Sequence, residues 1–195
     1  MPMERKEKIE SKKAQLYEEY AYILDILPHG RLGTRPYRGG ALVQLVGENY
    51  FTLLEATVKE GATLRPHDRV YVGKNTRDKV TYILGRVGYD EITTAAKTEL
   101  EGAREKIVLS REGLFVKFFN TAQAITPRMH SLELIPGIGK KYMWQILDQR
   151  DRRPFRSLED LQERANIPNP AKLLVKRILE ELEGRSKYRL FTRSP

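Results

Sequence analysis

Apolar residues from position 20 onward recur first at every second position and later at every third or fourth, so a strand-rich front precedes a helical back. Tyr20, Tyr22, Leu24 and Ile26 alternate, which predicts a strand over Tyr20–Leu27, although Leu16, Tyr20, Ile23 and Leu27 also fit a helical stripe. Pro28-His29-Gly30 ends that segment, and a loop rich in Gly, Pro and Arg runs from Arg31 to Gly40. Leu42–Val46 and Tyr50–Val58 stand either side of Gly47-Glu48-Asn49 with the spacing of a hairpin. Arg69–Val72 and Lys79–Val87 flank Gly73–Asp78, whose Gly, Asn and Asp suit a turn, and read as a second strand pair. Past Asp90 the period changes. Ile92, Ala95, Ala96, Leu100, Ala103, Ile107 and Val108 fall near one helical stripe, Ser110 offers an N-cap, and Leu114, Phe115, Phe118 and Phe119 continue helically. The second half is expected to be all helix.

Five short strands in about 70 residues suit an OB-like small barrel, while an SH3-like barrel or an open sheet would leave much the same pattern. The fold class expected is therefore α+β, a small OB-like β-barrel followed by an all-helical tandem domain. The divisions are a charged leader over 1–16, the barrel over 17–90, connecting helices over 91–125, the tandem domain over 126–183 and a basic tail over 184–195.

The most specific local pattern is Leu132-Glu-Leu-Ile-Pro-Gly-Ile-Gly-Lys-Lys-Tyr-Met-Trp-Gln-Ile-Leu147. It resembles the helix-hairpin-helix motif, in which a Pro-Gly-hydrophobic-Gly turn feeds a second helix that starts at a basic residue. Gly137 and Gly139 can take backbone angles closed to other residues and let a phosphate approach the main chain, while Ile138 plugs the turn. The helix that follows offers unpaired N–H groups and a positive dipole end, to which Lys140 and Lys141 add full charges. A displacement of 168 − 136 = 32 residues lays this segment on Ile167–Leu179, matching Ile135 to Ile167, Pro136 to Pro168 and Lys140 to Lys172. Ser157-Leu-Glu-Asp160 supplies a capping-box-like helix start before the second turn. That copy has Asn169, Pro170 and Ala171 where the first has Gly137, Ile138 and Gly139, so it is expected to bind phosphate less well or only to pack. Trp144, with Ile146 and Leu147, is read as core more than as a stacking platform.

Charge sharpens this reading. The chain carries 35 Lys and Arg against 26 Asp and Glu, a net +9. From Thr126 onward the count is 15 against 9, so +6 of the excess lies in the smaller part. A pI near 9.7 suggests a polyanionic partner. Zero cysteines exclude disulfides, thiol catalysis and Cys-containing zinc sites. No run approaches the roughly 18 apolar residues of a membrane span, and Met1–Lys13 lacks the apolar core of a secretory signal. A soluble, cytoplasmic protein is expected, with no membrane partner.

Further candidates are weaker. Arg31, Arg35, Tyr37 and Arg38 in the glycine-rich loop could follow a phosphate backbone and stack on a base, and Tyr50, Phe51, Tyr71 and Tyr82 are possible strand platforms. Phe115, Phe118 and Phe119 read as helix core. Arg150, Arg152, Arg153 and Arg156 either extend the phosphate track from Lys140 or form a solvated face near Asp148 and Asp151. The tail interleaves Arg185, Lys187, Arg189 and Arg193 with Tyr188 and Phe191, a composition commonly mobile until it meets RNA. No Asp, Glu and His set has metal-ligand spacing, and there is no P-loop or dinucleotide fingerprint. His29, His67 and His130 read as ordinary polar groups. No catalytic residue, metal site or cofactor is expected.

Leu27-Pro-His-Gly30, Tyr50-Phe-Thr-Leu-Leu-Glu55, Phe118-Phe-Asn120, Ile125-Thr126 and Leu132–Lys141 resemble an uncharacterised archaeal family of predicted RNA-binding proteins, the domain of unknown function 655. The resemblance runs from about Tyr17 to Leu182 and implies an OB-like barrel joined to a helix-hairpin-helix domain. It supplies no biochemical activity. Neighbouring genes in that family encode a ribosomal protein, an RNA polymerase subunit and an rRNA adenine dimethyltransferase, which implies a setting near ribosome assembly or translation, with ribosomal or polymerase proteins as possible partners. The function expected is non-catalytic nucleic-acid binding, RNA before DNA. The rivals are a DNA-binding accessory factor of repair or transcription and a protein-interaction scaffold, with a metal-dependent nuclease behind both.

Overall fold

The computed structural model describes residues 17–30 and 40–193. It is a mixed α+β fold: five strands curl into an antiparallel half-barrel, and helices follow. Arg31, Arg35, Tyr37 and Arg38 lie outside the described residues. The described chain divides into two compact units, one running to Leu100 and including Arg193, the other Glu101–Thr192.

Strands β1 (Tyr20–Leu27), β2 (Leu42–Gly47), β3 (Leu53–Val58), β4 (Arg69–Tyr71) and β5 (Val80–Arg86) build the sheet in the order β4-β1-β2-β3-β5. The alternation over Tyr20–Leu27 does form a strand, and it pairs Leu27 with Leu42 and Ile23 with Leu45. Ala21, Ile23, Val43, Leu45, Leu54, Ala56, Val70 and Val80 share one core cluster. β2 and β3 are buried at every position, on both faces, so they lack the clean polar alternation of a half-exposed sheet. Register shifts between Ile23 and Asp25 in β1, and at Glu55 to Val58 in β3, bend these strands and help the sheet to curl.

The expected pairing of Arg69–Val72 with Lys79–Val87 is not made. β4 pairs with β1 through Tyr20↔Tyr71, and β5 pairs with β3, which puts the two at opposite edges of the sheet. Between them stands Arg77, whose guanidinium donates to Val72 O at 3.3 Å and Thr81 O at 3.4 Å. A side chain thus serves strand carbonyls that a ladder would otherwise have used. The β2–β3 connection is also longer than a tight hairpin. Buried Glu18 accepts N–H bonds from Asn49, Tyr50 and Thr52 at 2.7, 3.0 and 3.1 Å, and a side chain on Gly47 would overlap it.

Helix α1 (Thr94–Ser110) begins at Thr93, whose hydroxyl donates to Asp25 and accepts from Ala96 N, while its own N–H donates to Gln44. Its buried stripe is the predicted one except for Ala95, which is exposed. Ser110 is not an N-cap. It closes α1 with its hydroxyl on Ile107 O, and α2 (Glu112–Thr121) starts after Arg111. Phe115 and Phe119 are core, as expected. The second half is not all helix either: Ala124–Thr126 and Met129–His130 form a short antiparallel ribbon (β6, β7) around Pro127-Arg128. A 3-10 turn over Ser131–Leu134 then leads to α3 (Lys140–Arg152), α4 (Leu158–Ala165) and α5 (Pro170–Leu182).

The C-terminal segment, expected to be mobile, is held down. Glu181 is 0% exposed and takes Arg177 Nε at 2.8 Å together with the N–H groups of Leu190, Phe191 and Thr192. Phe191 packs on Phe115 and Phe118, with ring centroids 5.4 and 5.0 Å apart. Removing Glu181 leaves a buried guanidinium and three N–H groups without their acceptor. Glu181→Ala is expected to cost about 3–5 kcal/mol in chemical denaturation. Amide hydrogen exchange across Leu190–Thr192 should accelerate with it; unchanged protection there would show that the aromatic packing alone holds the segment.

Candidate functional site

The turn before α3 is built by the residues that the sequence singles out. Ile135 and Ile138 are buried, the latter 2% exposed, so Ile138 does plug the turn. Gly137 has φ +90 and lies against Leu173, where a Cβ would come within 3.3 Å. Gly139 caps α3 in extended conformation, and no side chain caps that helix; the space beside Gly139 is open. The first intrahelical bond is Met143 N to Gly139 O, which leaves the N–H groups of Lys140, Lys141 and Tyr142 without intrahelical acceptors. Lys140 and Lys141 are exposed, and among the described residues neither has an ion-pair partner.

The second copy closes differently. Its helix starts at Pro170, two places earlier under the 32-residue displacement, because Asn169 in left-handed conformation (φ 44) is itself the cap. The Asn169 side chain takes Lys172 N at 3.2 Å. That N-terminus is served by its own chain and begins with a residue that has no N–H, so Lys172 stands exposed beside a turn with less to offer an anion.

Trp144 is the chief departure from the sequence reading. It is 64% exposed, one helical turn from Lys140 and Lys141 on the same side of α3, not in the core. Met143 and Ile146 are the buried residues of this helix instead. Nothing in the hydrophobicity of Trp144 could have shown this; its i+4 spacing from Lys140 could.

The arginine track is mostly spent within the chain. Arg150 donates to Phe119 O and Ala122 O at 3.0 and 2.9 Å. Arg152 pairs with Asp148 at 2.9 Å, and Arg153 with Asp160 at 3.3 Å. Burial would raise the Asp160 carboxyl, but the Arg156 N–H and the Arg164 and Arg153 guanidinium groups hold it below the usual carboxylate range. Of the proposed strand platforms, Phe51 is buried and Tyr50 lies under the Arg193 guanidinium at 3.7 Å. Tyr71 packs on Tyr20, whereas Tyr82 is 69% exposed. Among the described residues no three His, Asp or Glu gather to hold a metal, and no helix is long and apolar enough to cross a membrane.

His130 is more than an ordinary polar group. Its Nδ1 accepts Leu132 N at 3.1 Å while Glu133 takes the His130 N–H, a reciprocal cap on the 3-10 turn that leads to the Gly137–Lys141 turn. Burial and the nearby Arg150 charge push its pKa below the ordinary value of 6.5.

Such a chain is a two-unit α+β protein with an uncapped, cationic helix start and no metal cluster among its described residues. It belongs to the DUF655 family, described as proteins of unknown function, whose model matches residues 17–193. It is similar to the uncharacterized protein MJ0038 of Methanocaldococcus jannaschii, 39% identical over 183 residues, 93% of this chain and 82% of that protein. The crystal structure of Af1531 from Archaeoglobus fulgidus, a member of the same family, superposes with TM-score 0.81 at 46% identity, over 90% of this chain and 100% of that one.

The His130 cap gives a pH signature. As pH falls below 6.5 the unfolded chain takes up the proton before the folded one, so stability present at neutral pH is lost as pH drops toward the lowered folded value. Melting temperatures at pH 7.5 and 5.5 should fall further apart for the native chain than for His130→Asn, which caps without titrating; equal gaps would remove His130 from the linkage.

Proposed function

We propose that this protein is a non-catalytic RNA-binding protein whose principal contact is a phosphate held at the Gly137–Lys141 turn. The observation that carries the reading is the contrast between two related turns. The first leaves its helix N-terminus without a side-chain cap, open and flanked by two lysines that have no ion-pair partner among the described residues. The second satisfies its own N-terminus through Asn169. The contrast supports reading the first turn as a helix-hairpin-helix site, a kind of site that reads backbone and not bases.

RNA is preferred over DNA in this reading because exposed Trp144 and Tyr82 suit unpaired bases, which loops and single strands of RNA present. The half-barrel supports the same partner. It has five strands and an open side, as an OB fold does, and the segments joining β1 to β2 and β4 to β5 are the ones such folds use on oligonucleotides. The first of these segments carries Arg31, Arg35, Tyr37 and Arg38. Because Arg152 and Arg153 already face carboxylates, they add less than Lys140 and Lys141.

Binding of a structured RNA, followed by fluorescence anisotropy across a salt series, tests the reading. Replacing Lys140 and Lys141 together by Ala should weaken binding with little sequence bias and lower the salt slope by about one unit per lost phosphate contact. Arg152→Ala should change the slope less. An unchanged slope in a folded double variant removes the turn from the interface, and tighter binding to duplex DNA at equal salt transfers the site to DNA.

A further inference from the structure

Where β4 and β5 fail to pair, the half-barrel opens into a pocket of about 340 Å³. Leu54, Val72 and Ile83 give it apolar walls, and Lys74, Arg77 and Arg86 line it with three cations. Among the described residues that line it Glu18 is the one carboxylate, and it is committed to the N–H groups of Asn49, Tyr50 and Thr52. Its charge is held by three backbone dipoles, and with three cations against it the described lining keeps a positive balance. Arg77 is fixed by the carbonyls of Val72 and Thr81, so its guanidinium is oriented before any ligand arrives. Tyr17, 55% exposed, also lines the pocket, with Lys74 Nζ 5.0 Å from its ring centroid.

The size and chemistry select a ligand class. The volume lies at the small end of ligand pockets, too small for a dinucleotide cofactor. Apolar walls accept a flat aromatic body, and clustered Lys and Arg accept phosphate. We propose that this pocket holds one nucleotide, its base against Leu54, Val72 and Ile83 and its phosphate at Lys74, Arg77 and Arg86. The nucleotide is either a free mononucleotide or one residue of a bound strand; the second source rests on the RNA reading above, while the pocket's own chemistry does not.

The full chain, labelled with ¹⁵N, is titrated with AMP, GMP, CMP and UMP, with adenosine, and with a five-residue oligoadenylate. Amide shifts are expected around Val72–Arg77 and Ile83–Arg86, with a nucleoside monophosphate bound more tightly than adenosine. Lys74→Glu, on an exposed loop position, should weaken the monophosphate by about tenfold and leave the melting temperature unchanged. The Lys140→Ala, Lys141→Ala double variant should leave these shifts intact. If the double variant abolishes them, the phosphate sits at the helical turn, and the pocket proposal falls while the RNA reading survives. Absence of shifts in this region with every probe, or indifference to Lys74→Glu, also overturns it. If the oligoadenylate displaces the monophosphate, the occupant is strand-borne; if it does not, the pocket serves free nucleotides, and the RNA reading must stand on the hairpin alone.

Discussion

One buried ion pair organises the helical unit. Arg177 gives Nε to Glu181, one amino group to Leu134 O at 3.0 Å and the other to Tyr188 O, while Glu181 spends its remaining capacity on three N–H groups of the closing segment. Leu134 is the last residue of the turn that enters the hairpin. A single pair on α5 therefore fixes the approach to the candidate phosphate site and the path of residues 188–192. Burying two charges confers little net stability by itself, because desolvation offsets the attraction. Its effect is specification: any shift that separates the pair leaves a charge uncompensated, so the hairpin and the closing segment keep their relation to α5.

That constraint explains how legible the molecule was. Elements governed by local rules could be read directly: the alternation that makes β1, the stripe of α1 and the Ser157 cap that accepts Asp160 N at 3.0 Å. Features decided by distant partners could not. Nothing near Gly73–Asp78 says that Tyr71 will lie against Tyr20 or that Arg77 will stand in for a ladder. Glu181 reads as one acid in a charged run, and only the fold brings Leu190, Phe191 and Thr192 onto it. Ser110 and Trp144 erred for a shared reason, since a residue type that prefers a cap or a core takes that place only when the packing around it leaves one.

Net charge pointed toward a polyanion, but the count overstates what is available. Arg104, Arg150, Arg164 and Arg177 donate to backbone carbonyls, and Arg152 and Arg153 face carboxylates. Arginine in the helical unit thus acts largely as internal scaffolding, for which its fixed fork of donors is suited. Lysine is left to face solvent: Lys140 and Lys141 at the hairpin, and Lys74 beside the pocket. A strongly hydrated, mobile ammonium is a poor internal brace and a good phosphate contact.

Division of labour between the two cation types narrows where function can lie. A surface made basic by unpaired arginines would bind polyanions broadly, whereas pairing them leaves a few lysines at places with backbone donors or apolar walls beside them. At the hairpin the added element is a row of unsatisfied N–H groups; at the half-barrel it is the apolar seam left by two strands that do not meet. Each site combines a charge that attracts with a shape that limits what fits. On the proposed reading the first fits a phosphate group and the second a whole nucleotide. On the proposed reading the overall +9 charge speeds the encounter with a polyanion, and the seam and the Gly137–Lys141 turn select by shape what is held.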